Sequence, residues 1–148
     1  MSSISVRVQR EARRWQLQAE NDLAYAQGGL TGGFAAQTCF MAQQVTEKAL
    51  KAALLATGAK SHRGHSCARL GVKLVEVIPD IEAMRHGLML LDQYYVPTRY
   101  PNGIPSGAPF EAYSITQAEQ ALDIAAQICV LTRRALDRLC SDWEASES

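Results

Sequence analysis

The chain has 148 residues, 47% of them hydrophobic and 20% charged, with 15 basic and 15 acidic side chains and a formal net charge of zero. That length and apolar content fit one globular domain with a core of its own, and they exclude a disordered chain or one that needs a metal or disulfides to fold. Neutral balance excludes a global field drawing the chain to nucleic acid or to an acidic membrane, and leaves room only for a local basic patch.

The first predicted helix runs from about Arg7 to Gln27, because Trp15, Ala19, Leu23 and Ala26 draw one apolar stripe. Arg7, Arg10, Arg13 and Arg14 lie largely off it, and Gly28, Gly29, Gly32 and Gly33 are expected to end the helix. A second helix is expected from about Phe34 to Thr57, with Gly58 as its cap. Met41, Val45, Ala49, Ala52 and Ala56 form its main stripe, which Phe40, Leu50 and Leu54 widen. Its many alanines let a neighbouring helix approach closely, so it is the best candidate for the centre of the fold.

After a polar connection from Lys60 to His65, Ser66 is placed to cap a third helix carrying Leu70, Leu74 and Val77 and stopping near Pro79. Asp80 is placed to cap a fourth, with Ile81, Met84, Leu88 and Leu91 inward. Pro97, Pro101, Pro105 and Pro109 exclude a continuous helix between about Val96 and Ser114. The last helix is expected to start near Thr116, which makes a capping-box spacing with Glu119, and to reach about Cys140 through Ala118, Leu122, Ala125 and Cys129. The domain core is expected over about 7–142, with an acidic tail that frays after Trp143. No strand-like alternation and no repeat appears. The fold class is therefore all-α: an up-and-down bundle of four long helices and a shorter one, with a long proline-rich loop before the last.

Cys39, Cys67, Cys129 and Cys140 form no C-x-x-C pair and no zinc-ligand spacing with a histidine, and read as reduced thiols. His62, His65 and His86 make no metal-binding spacing, and no nucleophile elbow, phosphate-binding loop or dinucleotide fingerprint occurs. Nothing here calls for a cofactor, a metal or a catalytic residue. The N-terminus carries no apolar signal region, and no apolar run approaches the roughly 20 residues of a membrane span. The expected location is the cytoplasm, with no membrane partner.

Gln44, Glu47, Lys48 and Lys51 project from one side of the second helix. One reading is a solvated face with a Glu47–Lys51 ion pair. The other is a groove wall in which Lys48 and Lys51 meet phosphate oxygens and Glu47 orients them. Arg99, held in an extended loop, has a similar pair of readings. It either bonds loop carbonyls or pairs with Glu47 or Asp92, or it offers a guanidinium fork to phosphate with Tyr94, Tyr95 or Tyr100 giving ring faces to a base. If the terminal helices are neighbours, Arg133, Arg134 and Arg138 can merge with the N-terminal arginines into an RNA-contacting patch, diluted by Glu11, Asp137 and Asp142.

From about Trp15 to Ile128 the chain resembles the HEPN family. The segments that carry the resemblance are Cys39–Gln44 leading into Glu47–Lys51, then Gly64-His65-Ser66 before Leu70, then Leu91–Tyr95 leading into Thr98-Arg99-Tyr100-Pro101, with Ala118 and Leu122 in the last helix. The resemblance implies a helical bundle that pairs as a homodimer, binds nucleotides or acts on RNA, and works beside a minimal nucleotidyltransferase, often in a toxin–antitoxin-like pair. It points to Glu47, Lys48, Lys51, His65, Arg99 and Tyr100. Ribonuclease members use an arginine followed after four to six residues by a histidine, and no such pair occurs here.

Three functions follow as expectations. The first is a non-catalytic module binding a nucleotide or other phosphate-bearing ligand at Gln44, Glu47, Lys48, Lys51, His65, Tyr94, Arg99 and Tyr100. The second is an RNA-cleaving protein with a composite site drawn from His65 and Arg99. The third is a scaffold in which Glu47 and Arg99 form a buried ion pair that pins the loop.

Overall fold

The structure, a computed structural model, describes residues 4–60 and 62–140. Its α-helices are α1 (Val6–Thr31), α2 (Ala35–Ala56), α3 (Cys67–Val72), α4 (Arg85–Asp92), α5 (Pro109–Ala112) and α6 (Ile115–Leu139). Turns of 3-10 helix at Pro79–Met84 and Pro101–Gly103 complete the regular structure. The all-helical bundle is as the periodicity predicts, and α1, α2 and α6 are its long members. Asp142 and the acidic tail expected after Trp143 lie outside the described residues.

Ser5 caps α1 by accepting from the Val8 amide at 3.2 Å. The helix does not stop at Gly28 but continues to Thr31, and the chain reverses at Gly33, whose φ of +84° suits glycine. α2 then runs through the middle of the molecule and contacts each of the other five α-helices. Ala42, Ala49, Ala52 and Ala53 are completely buried, and small side chains there let α1 and α6 approach its backbone.

The middle helices are shorter than the apolar spacing suggests. After Gly71 the chain reads Val72, Val75, Val77, Ile78, Pro79: β-branched residues disfavour helix, and proline forces the residue before it into an extended conformation. Ile78 accordingly sits at φ −128°, ψ 81°. The next turn is 3-10, so α4 begins only at Arg85. The proline-rich segment is also more ordered than expected, since Pro109 opens the short α5. The last helix starts one residue early, capped by Ser114 rather than Thr116. Gln117 completes that capping box, its amide donating to Ser114 Oγ at 3.1 Å and its side chain accepting from the Ser114 amide at 2.8 Å.

α1 and α6 meet across a polar seam. Gln16 Nε2 donates to the Cys129 carbonyl at 3.0 Å, Thr132 Oγ1 donates to Gln16 Oε1 at 2.7 Å, and Arg133 grips Glu20 through two bonds of 2.6 Å. Arg13 reaches Asp137 at 2.8 Å. The terminal helices are neighbours, as the RNA-patch expectation requires. Several of their arginines are nevertheless engaged within the fold: besides Arg13 and Arg133, Arg14 pairs with Glu11 at 3.0 Å, and Arg138 donates to the Val77 backbone carbonyl. The four cysteines are free and buried, and burial pushes the Cys39 thiol up to about 11 and Cys129 up to about 12. No helix among the described residues is long and apolar enough to cross a membrane.

Candidate functional site

One side of α2 carries Phe40, Gln44, Glu47 and Lys51. Glu47 is its centre. The carboxylate is buried and fully engaged: Oε2 accepts from Lys51 Nζ at 3.1 Å, while Oε1 meets His65 Nδ1 at 3.0 Å and Gln43 Nε2 at 3.3 Å. A carboxylate only accepts, so Nδ1 of His65 carries the proton and Nε2 is left for another partner. Gln43 also donates to the His65 carbonyl at 2.8 Å and accepts from Gln44 Nε2 at 2.7 Å. Gln44 therefore reaches the centre through Gln43.

His65 is set in place by the start of α3. Ser66 caps that helix, accepting from the Arg69 amide at 3.2 Å. Asp92, the last residue of α4, accepts from Ser66 Oγ at 2.6 Å, from the Cys67 amide at 2.6 Å and from the Ala68 amide at 3.3 Å. A carboxylate on exposed helix N–H groups is the arrangement a helix N-terminus favours. It also ties α4 to α3, which brings Tyr95 over His65. The two rings stack with centroids 4.7 Å apart and planes at 17°.

Arg99 closes the other end. Its guanidinium carbon lies 4.4 Å from the Phe40 ring centroid, 4.9 Å from Tyr95 and 5.1 Å from Tyr100. Its Nε donates to the Tyr95 carbonyl at 2.8 Å. Arg99 is exposed and pairs with no carboxylate among the described residues. The Glu47–Arg99 ion pair expected for a scaffold is not formed, nor is one with Asp92. Glu47 is taken by Lys51 and His65, and Asp92 is committed to α3. The loop is held by ring contacts and a backbone bond instead.

Lys48 leans towards α1 and pairs with Asp22. Lys51 Nζ also lies 5.9 Å from the centroid of Trp15, whose Nε1 donates to Glu11 at 3.1 Å. A cleft of about 310 Å³ opens here, lined by Glu11, Arg14, Trp15, Gln18 and Lys48. A band of aromatic and charged groups thus runs along α2, from Arg99 and Tyr100 through Tyr95, His65 and Glu47 to Lys51 and Trp15.

Tyr94 is not in this band. It is buried edge-on against Tyr113 at 5.8 Å, where desolvation raises its pKa. Its neighbour Tyr95 occupies the band. The sequence held that signal: Leu88 and Leu91 point inward, and Tyr94, three residues on, continues their phase. Phe40, Gln43 and Trp15 also belong to the site without a distinct sequence signal, because Phe40 and Trp15 read as core and Gln43 merely adjoins the polar stripe of α2. Among the described residues no group of three His, Cys, Asp or Glu side chains is arranged to hold a metal ion.

The arrangement can do three things. Two terminal nitrogens of Arg99 remain to fork an anion, the half-exposed Tyr100 offers a ring face, and His65 presents Nε2 from a fixed imidazole.

Comparison with known proteins places this geometry in a family. The HEPN domain model matches residues 12–135. The crystal structure of TT1696 from Thermus thermophilus superposes with a TM-score of 0.78 at 40% identity, over 84% of this chain and 97% of that one. ST0689, an archaeal HEPN homologue, gives a TM-score of 0.70 at 32% identity over the same shares. A search of curated proteins found no significant match. The family match over most of the chain, with the helical bundle and these two relatives, establishes that the chain belongs to the HEPN domain family.

Proposed function

We propose that this protein is a non-catalytic HEPN module that binds a nucleotide or another phosphate-bearing ligand at the band along α2. The observation that carries this reading is the guanidinium of Arg99, exposed, without a carboxylate partner among the described residues, and framed by three aromatic rings. A phosphate would dock on its terminal nitrogens, a base would stack on Tyr100, and His65 would bond the ligand through Nε2. Lys51 and Gln44 act one step back, by holding Glu47 and Gln43 so that the imidazole cannot turn. Lys48 serves the cleft beside Trp15 rather than the Arg99 end.

The ligand is delivered to or received from a nucleotidyltransferase partner in a toxin–antitoxin-like pair, with the module working as a homodimer. The family resemblance supports that part of the reading.

Isothermal titration with ATP, GTP and UTP tests it. At least one nucleotide is expected to bind saturably. Arg99→Ala is expected to weaken binding by roughly 10- to 100-fold, the weight of a lost charge-assisted contact of about 1.5–3 kcal/mol. No saturable heat with any of the three, or affinity unchanged in Arg99→Ala, contradicts the proposal.

A further inference from the structure

The bonds around His65 leave one ring atom unused, and they fix what that atom can do. Nδ1 faces the Glu47 carboxylate at 3.0 Å, so the proton of the neutral ring sits on Nδ1 and Nε2 keeps a bare lone pair. Lys51, at 3.1 Å from the other oxygen, already matches the charge of Glu47. The carboxylate therefore asks of His65 a hydrogen bond and not a second charge. The ring is also held against turning. Tyr95 stacks on it at 4.7 Å, Gln43 donates to the His65 carbonyl, and Asp92 holds Ser66, the next residue. A half-turn would set a ring carbon against Glu47 in place of Nδ1. The side chain is 59% exposed, and Nε2 bonds no described residue.

A fixed acceptor selects a ligand by its donors. An ionised phosphate offers only lone pairs, so it is repelled from the Nε2 of a neutral ring and belongs on Arg99. The base has its place on the exposed face of Tyr100. The sugar joins the two, and its hydroxyls are donors. The guanidinium carbon of Arg99 lies 4.9 Å from the Tyr95 ring centre and the His65 ring 4.7 Å from it. No more than those two distances together separates them, a span that one nucleotide bridges from phosphate to sugar.

Resting on the nucleotide-binding reading above, we propose that His65 Nε2 accepts a hydrogen bond from a sugar hydroxyl of the ligand, so that the site selects nucleotides with an intact ribose over deoxynucleotides. The charged and titratable groups around the imidazole are Glu47 and, behind it, Lys51 on α2, Tyr95 and Arg99 after α4, and Asp92 through Ser66. Of these only Glu47 bonds the ring. A second proton on the imidazole turns Nε2 from acceptor into donor and cancels the preference.

Titration calorimetry with ATP, GTP and UTP, each beside its 2′-deoxy and 3′-deoxy counterpart, tests this at about pH 8.5, where histidine side chains are ordinarily neutral. The nucleotide that binds is expected to lose about three- to tenfold in affinity in at least one deoxy form, and the form that loses it names the hydroxyl. His65→Asn keeps a donor for Glu47 and removes the Nε2 acceptor, so it should bind the ribose and deoxy forms alike. In the native protein the gap should close at about pH 5. That pH comparison serves if His65→Asn fails to fold. Deoxy forms that bind as well as the parent nucleotide overturn the inference and leave the nucleotide-binding reading standing. A preference that persists undiminished in folded His65→Asn, or at the lower pH, also overturns it. No binding by any of the nine overturns the underlying reading and this inference together.

Discussion

Single carboxylates decide much of this structure, and two of them differ in what they do. Glu47, itself buried, gathers a lysine, an amide and the exposed imidazole of His65, so its role is to hold His65 still. Glu20 joins two helices. Its pKa is lowered chiefly by the hydrogen bonds from Arg133 and then, against the opposing desolvation, by Gln16 and the surrounding positive charge. A group whose folded pKa lies below its unfolded value binds fewer protons when folded. Its contribution is therefore complete above its ordinary value of 4.5 and is lost as pH falls through the folded value. Urea midpoints measured from about pH 6 down to about pH 3 should fall in the native protein, and fall less steeply in Glu20→Gln. An acid limb of the same slope in the variant would show that the seam between α1 and α6 does not depend on this charge.

Among the elements, α3 and α4 show how local order positions the band. α3 has only 6 residues, too few to persist without help, and its help is Asp92 from the end of α4. Asp92→Ala removes three accepted bonds at once. It should cost roughly 2–3 kcal/mol in urea unfolding and should separate the His65 and Tyr95 rings. A loss below about 0.5 kcal/mol would mean that packing alone fixes α3. Apolar spacing located α1, α2 and α6 because each buries a stripe along its whole length. It overstated the two middle helices, since Ile81 and Met84 follow helical spacing while sitting on a 3-10 turn. It also missed Ser114 as the cap, because Ser114–Gln117 and Thr116–Glu119 offer the same signature two residues apart.

At the scale of the molecule, α2 is the axis and the band is what it presents outward between α1, α3 and the proline-rich segment. Glu47, Lys51, His65 and Arg99 were each legible as residues of interest. The Glu47–Lys51 ion pair was legible too, from its i,i+4 spacing, although the pair is buried rather than solvated. The His65 bond to Glu47 and the ring contacts of Arg99 were not, because they depend on where α3 and the loop land. The central claim is that the Arg99 end and the Glu47–His65 knot act as one surface, joined by the Tyr95 ring. The most direct measurement is an NMR titration with the nucleotide that binds best, following the His65 imidazole, the Tyr95 ring and the Arg99 Nε–H together. The account predicts that all three signals move along a single saturation curve. Signals that stay still at saturation, or a His65 response without one at Arg99, would contradict it.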